Sequence, residues 1–305
     1  MIMAFTKKKM AVIFTLTNPA GSTGSGGSEQ IVVQGLRMSC KIVKTASPQM
    51  NSCQLRIFGL PPETYSKIVS IYQSILGVQK NLVTIQAGDE KSTNLGTAFI
   101  GQIVIAHIDL NQQPDAVVDI IAQTAYMQAL QPVDAIQFPD RFDVATALKG
   151  LANTMNMGFE PNGVKMTLPR MTLQGSPRQQ AIAIAEAADI VISFDDNKMV
   201  IFTSGGKRIN AKPPLISPAT GMIGYPYYST NGIGLKTLYN PTIKWGADVQ
   251  VQSSLAIPNL NGLWTVSNLV HTLECELPNG RWDTEIQAYN FQNIRPATTQ
   301  VQAPL

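Results

Sequence analysis

Charged residues make up only 14% of this 305-residue chain, against about 25% in an average globular protein. Such a poorly charged surface, filled out with Gln, Asn, Ser and Thr, suits burial against other subunits better than life as a free monomer. Histidine is scarcer still: His107 and His271 are the only two, and neither sits in a ligand pattern. His271 and Cys275 are four residues apart, a spacing that converges on a helix but spreads over about 13 Å on a strand. That pair alone does not make a metal site. The three cysteines, Cys40, Cys53 and Cys275, are an odd number without CxxC spacing, so neither a disulfide framework nor a zinc cage is indicated. Cys40 and Cys53 fall on apolar faces of neighbouring predicted strands and read as core thiols that a reducing compartment keeps reduced.

Long apolar runs are missing as well. No segment approaches the roughly 18 residues of a membrane-spanning helix, so stable membrane insertion is not expected. The start, MIMAFTKKKMAVIFTLTNPAGS, imitates a signal peptide, but Ala11 to Leu16 is at the short limit of an apolar core and reads equally well as a strand. The motifs GxSxG, HExxH and the phosphate loop are absent, and GSTGSGG lacks the lysine and the strand-to-helix context of a phosphate cradle. No catalytic, cofactor-binding or metal-binding residue is assigned, and no cofactor is expected.

What is present is β patterning. The stretch Asn261 to Asn290 reads as one long hairpin: Leu269, His271, Leu273, Cys275 and Leu277 alternate onto one face, and Trp264, Val266 and Val270 onto the other. Pro278, Asn279 and Gly280 supply the turn. Asn279-Gly280 suits a type I′ geometry with positive φ at both residues. The return strand sets Trp282, Thr284, Ile286 and Ala288 against Asp283, Glu285 and Gln287.

At 305 residues, two to three domains are expected. In the first, strands follow at Ala11 to Thr17, from Gln30, around Leu36 to Ile42, and at Ser52 to Ile57, with TASPQM as a hairpin loop and a Gly/Ser loop over NPAGSTGSGGSE. A helix opens after Pro61-Pro62 with Tyr65, Ile68, Val69, Tyr72, Ile75 and Leu76 at helical spacing, and Gly77 ends it. Strands over Leu82 to Ala87, Ala98 to Asp109 and between Ala116 and Gln128 complete a barrel or half-barrel, although the last segment also scores as a helix.

Texture changes after Pro139. A helix is predicted over Phe142 to Met155 and a second from the Ser176 cap with Pro177 at its first position. Asp195-Asp196-Asn197 turns a hairpin between DIVISF and KMVIFT. The resulting division is a first β domain over residues 11–138, an α+β insert over 139–206, a second β domain over 207–293, and flexible ends over 1–10 and 294–305. The fold class is mainly β with an α+β insert.

These residues also carry a resemblance. PLISPATGMIGYPYYSTNGIGLKTLYNP, then KWGADVQVQSS and the hairpin string NGLWTVSNLVHTLECELPNGRWDTEIQAYN, together with LRMSCKIVKTASPQMNSCQLRIFGLPPET, NLVTIQAGDE and GTAFIGQIVIAHID near the N-terminus, resemble the baseplate hub proteins of contractile-tailed bacteriophages. The likeness covers about Val12 to Tyr289. It implies two tube-like β-barrel domains and a homotrimer joining the tail tube protein to the central spike protein, with baseplate wedge and tape-measure proteins as further contacts. DNA would meet such a protein only in transit through the channel. It also implies a structural virion protein of the tail baseplate, assembled in the host cytoplasm, and no enzyme.

Competing readings attach to particular residues. Glu274 with Glu276, Asp283 with Glu285, and Asp195 with Asp196 are carboxylate pairs of the kind a tail-associated glycosidase would need, but strand-face and turn chemistry explain them equally. Trp245, Trp264 and Trp282 are stacking candidates for a carbohydrate-binding or host-adhesion module; Trp245, beside a turn in NPTIKWGADV, is the one expected to be exposed. Finally, residues 1–60 hold seven Lys or Arg against the single Glu29, in a chain of net charge +3. That asymmetry leaves open whether the N-terminal region meets protein or nucleic acid.

Overall fold

The computed structural model describes residues 6–17, 28–69, 81–91, 94–111, 116–230, 232–254 and 260–290. The predicted continuation of the first helix to Gly77, most of the Gly/Ser loop and the segment 294–305 lie outside them.

Ten strand residues open the fold. β1 (Lys8–Thr17) is followed by β2 (Ser28–Gln34), β3 (Met38–Lys44), β4 (Ser52–Phe58), α1 (Pro62–Val69), β5 (Leu82–Asp89), β6 (Gly96–Asp109) and β7 (Val117–Gln123). The expectation that residues 1–10 take no part in the core fails at its end: β1 begins at Lys8 and Met10 is buried. The reason is pairing, since Lys8 to Thr15 lie in register with Asp89 to Leu82 of β5. Alternation then does the rest, and Met10, Val12, Phe14 and Leu16 point into one core.

The ambiguous segment after Ala116 is both things in turn. β7 ends at Gln123, Ala125 takes a left-handed φ of 52°, and α2 (Tyr126–Leu130) follows. Next come β8 (Ile136–Phe138), β9 (Phe142–Asp143), α3 (Val144–Thr154), β10 (Gly158–Glu160), β11 (Thr167–Leu168), β12 (Met171–Leu173), α4 (Pro177–Ala187), β13 (Ile190–Asp195) and β14 (Lys198–Thr203). Both principal helices start where side-chain caps place them. Asp143 accepts from the Thr146 N–H, and Ser176 with Gln179 forms a reciprocal capping box ahead of Pro177. α3 and α4 bury Leu148, Leu151, Ala181 and Ile184 against β13 and β14 in a core of their own.

The C-terminal region holds β15 (Leu215–Ile216), β16 (Met222–Ser229), β17 (Gly232–Leu238), β18 (Asp248–Val251), β19 (Gly262–Cys275) and β20 (Trp282–Tyr289). Its core contains Ile233, Val249, Trp264, Val266, Leu269 and Ile286, and reaches across to Val200 and Phe202 of β14.

The two β-rich regions form one sheet. Its strand order is β16-β17-β20-β19-β3-β4-β7-β6-β5-β1-β2, with β18 on β19 and β15 on β18. The junction is β19, which at 14 residues is long enough to serve both sides. Its first half pairs with β18, Asp248 to Val251 opposite Thr265 to Gly262. Its second half pairs with β3, Leu269 to Cys275 opposite Lys44 to Met38. Accordingly Leu273, Cys275 and Trp282 pack in the N-terminal core while Trp264 and Leu269 pack in the C-terminal one. Among the described residues the sheet is open, with β2, β16 and, at the end of the β18 branch, the two-residue β15 as its free edges. Among those residues neither β region closes into a barrel of its own.

Candidate assembly interface

The insert is held on the sheet by a buried ion cluster at the β13–β14 turn. Asp196 and Asn197 both take positive φ, 46° and 62°, with Asp195 opposite Lys198; this is the two-residue turn that matches strand twist. The turn puts Asp195, only 2% exposed, between two cations. Lys44 Nζ of β3 lies 2.8 Å from its Oδ1, and Arg208 Nη1 lies 2.8 Å from its Oδ2. Lys44 also reaches Asp196 Oδ2 at 2.5 Å, and the Ile100 N–H of β6 donates to Asp196 Oδ1. Arg208 then forks onto Glu160, Nε to Oε2 at 2.7 Å and Nη2 to Oε1 at 3.0 Å. Burial pushes the Asp195 carboxyl up, but Lys44 and Arg208 outweigh it and hold the group below the usual carboxylate range. Asp196 shifts the other way, because burial dominates there.

Backbone contacts reinforce the junction. The β3–β4 loop sits on β13 through Ser47 N–H to Ile192 O at 3.0 Å, Ser193 Oγ to Thr45 O at 2.8 Å and Asn51 Nδ2 to Phe194 O at 3.0 Å. Arg178 of α4 donates to Pro48 O at 2.6 Å. The insert is therefore docked, and three regions of the chain present one continuous outer surface.

The edge strand β16 exposes a run of large side chains on that surface. Tyr225 is 59% exposed and Tyr227 61%, with Ile223 and Tyr228 also open to solvent. Gly224 at φ 70° and Pro226 break the ladder, so that the register with β17 jumps between Ile223 and Tyr227; proline is tolerated in a sheet at such an edge or bulge. Gly234 on β17 accommodates the stripe, because a Cβ there would stand 2.3 Å from Cζ of Tyr227. Beside it lies an ion network in which Arg281 and Lys236 hold Asp283 and Glu285. An edge strand with a hydrogen-bonded neighbour on one side only, carrying aromatic side chains, is a template for association. The cluster YPYY is the sequence signal for it, and the alternation pattern alone passes over it.

Other expected site residues fall differently. Trp245 is not exposed: it is 2% accessible, donates Nε1–H to Ser267 O at 2.9 Å, and stacks obliquely on Phe202 at 5.5 Å. A turn sets the chain direction there, but β14 and β19 close over the ring. Trp264 and Trp282 are buried too. Asn279 and Gly280 do lie in the β19–β20 turn, but its geometry is not type I′. The Gly280 N–H donates to Leu277 O, Pro278 occupies the second position and Asn279 the third at φ 58°, the arrangement of a type II turn. Gly280 does not take a positive φ; a Cβ there would stand 3.0 Å from the Glu274 Cβ and 3.1 Å from its carbonyl oxygen.

The carboxylate pairs are all engaged. Glu274 accepts from the Arg281 N–H, and Glu276 meets Lys7 at 2.7 Å. His271 is buried, 2.8 Å from Thr284 Oγ1 through Nδ1 and edge-on to Tyr239, and burial takes its pKa down to about 3, so it is neutral at ordinary pH. Cys40, Cys53 and Cys275 are buried free thiols. Among the described residues no group of three or more His, Cys, Asp or Glu stands close enough to hold a metal, and no helix is long and apolar enough to cross a membrane.

Among solved structures, the 43 kDa tail protein of prophage MuSo2 from Shewanella oneidensis aligns with TM-score 0.60 at 9% identity, covering 91% of this chain and 95% of that one. The tail protein from Neisseria meningitidis MC58 aligns with TM-score 0.58 at 9% identity over 92% and 96%. An Escherichia coli type VI secretion component, described as structurally similar to T4 bacteriophage tail proteins, aligns with TM-score 0.55 at 8% identity over 83% and 73%. At these identities the likeness is one of fold. No curated protein sequence matches significantly. The family model Baseplate hub gp41 matches residues 10–276, and the chain belongs to that family.

Proposed function

We propose that this protein is the trimeric hub of a contractile tail, joining the tail tube to the central spike and lining part of the channel through which DNA passes. In this reading residues 11–138 and 207–293 are two tube-like β domains around the insert 139–206. Three copies then present six similar β surfaces to a sixfold tube while keeping threefold symmetry for the spike. Baseplate wedge and tape-measure proteins are further contacts, assembly takes place in the host cytoplasm, and the role is structural and not enzymatic.

The observation that carries the reading is the single sheet running through both β regions and ending in the free, tyrosine-bearing edge β16. A head-to-tail contact between unlike edges closes into a ring when the rotation permits, and such a ring would cover the edges that the described residues leave open. The adhesion alternative loses its three tryptophan candidates to the core.

The test is Tyr225→Lys. Tyr225 is exposed and the substitution removes only surface from the subunit, so the variant should melt like the wild type while failing to form the ring. Normal ring formation by that variant would contradict the role assigned to this edge.

A further inference from the structure

A groove of about 620 Å³ lies between the insert and the C-terminal region, with no residue of β16 in its lining. One wall is β10 with the Pro161–Gly163 loop, and the other is Arg208 to Asn210 with the turn that carries Lys244 and Ala247. Nearly every polar side chain on these walls has a partner. Glu160 is saturated by Arg208 and by Lys198 at 2.8 Å. Asn162 donates to Glu160 O and Ile201 O and accepts from the Ile209 N–H, and Asn210 donates to Asp248 O. Lys244 is different: its carbonyl accepts from the Ala247 N–H at 3.3 Å, but among the described residues its ammonium has neither an ion pair nor a hydrogen bond.

Charge counting explains why. Lys44, Lys198, Arg208 and Lys244 face Glu160, Asp195 and Asp196, and the three carboxylates are taken up by the first three cations. One ammonium remains over, partly removed from water. Burial, and then Lys44, lower its pKa, with the neighbouring aspartates only partly offsetting them. Such a group gains from any anion that reaches it.

We propose that this groove is a carboxylate-binding site in which Lys244 anchors an acidic segment of a partner protein. One free ammonium matches one singly charged carboxylate, whereas a phosphate would find Arg208 and Lys198 already engaged with Glu160. Phe159, Pro161 and Ile209, the last 71% exposed at the rim, offer apolar contact to the stem of such a side chain and to a peptide backbone. The site stands apart from the subunit number and from the β16 edge.

The probe is a capped hexaglutamate peptide, titrated against the full chain at physiological ionic strength, with inorganic phosphate as comparator. Binding should weaken about tenfold in Lys244→Gln, as expected for loss of one charge-assisted contact, and persist in Lys244→Arg. In the unmodified protein the peptide should also slow acylation of Lys244 by an amine-reactive reagent relative to the exposed Lys149, a readout that does not depend on the variants folding. Failure of the peptide to bind, equal affinity in Lys244→Gln, unprotected Lys244, or tighter binding of phosphate than of the peptide would each overturn the assignment.

Discussion

Asp195 shows how one residue can be half legible. Its neighbours Asp196 and Asn197 are ordinary turn formers, and the positive φ at both is what the local sequence predicts. Nothing local indicates that Lys44, 151 positions earlier, and Arg208 converge on its carboxylate, because such a pairing depends on the docking of two regions. Removing one partner of a buried ion cluster leaves uncompensated charge, so Asp195→Asn should lose roughly 3–5 kcal/mol in denaturant unfolding. The Asp195 pKa is depressed in the folded state, so its contribution is present above the unfolded value near ~3.9 and lost as pH falls through the folded one. The difference in melting temperature between wild type and Asp195→Asn should therefore hold steady above about pH 5 and shrink below about pH 4. Trp245 defies the local pattern for a related reason. Gly246 and the preceding turn mark a chain reversal, which suggests exposure, while the Ser267 carbonyl and Phe202 that bury the ring come from distant strands. Trp245→Ala should cost about 3–5 kcal/mol of stability, a change read by thermal melting.

Elements with chemistry at their ends are the most legible. α4 starts at Ser176 with Pro177 in its first turn, as the capping pattern requires, and α3 follows the spacing of Val144, Leu148 and Leu151. The segment after Ala116 resists assignment because it contains a strand and a helix separated only by the left-handed Ala125. The β19–β20 hairpin is recognisable from its alternation, but the turn type is not, since Pro278 fixes the second position of a type II turn while Asn279 takes the third. Substitutions at Asn279 and Gly280 distinguish the geometries. Asn279→Gly should be close to neutral, whereas Asn279→Val, at φ 58°, should cost ~1–2 kcal/mol. Gly280→Val should cost ~1–3 kcal/mol through crowding against Glu274 and not through its dihedral angle. Urea unfolding of the three variants checks both statements.

At the scale of the molecule, the sequence pattern shows two β-rich stretches and an α+β stretch between them, but it does not show that β3 and β19 join the two stretches into one sheet. Pairing between residues more than two hundred positions apart leaves no periodic trace, and the 14-residue length of β19 is the only hint. The main path of the same sheet ends in β16 and β2, and its side branch in the short β15, so that in the proposed ring the open edges of each chain meet its neighbours. The measurement that tests this most directly is the mass of the hub, by native mass spectrometry of the purified chain at micromolar concentration and of the ring released from isolated tails. A trimeric hub should weigh three times the 33.0 kDa of one chain. A stable species of one chain mass in solution, with no threefold ring in the tails, would contradict it.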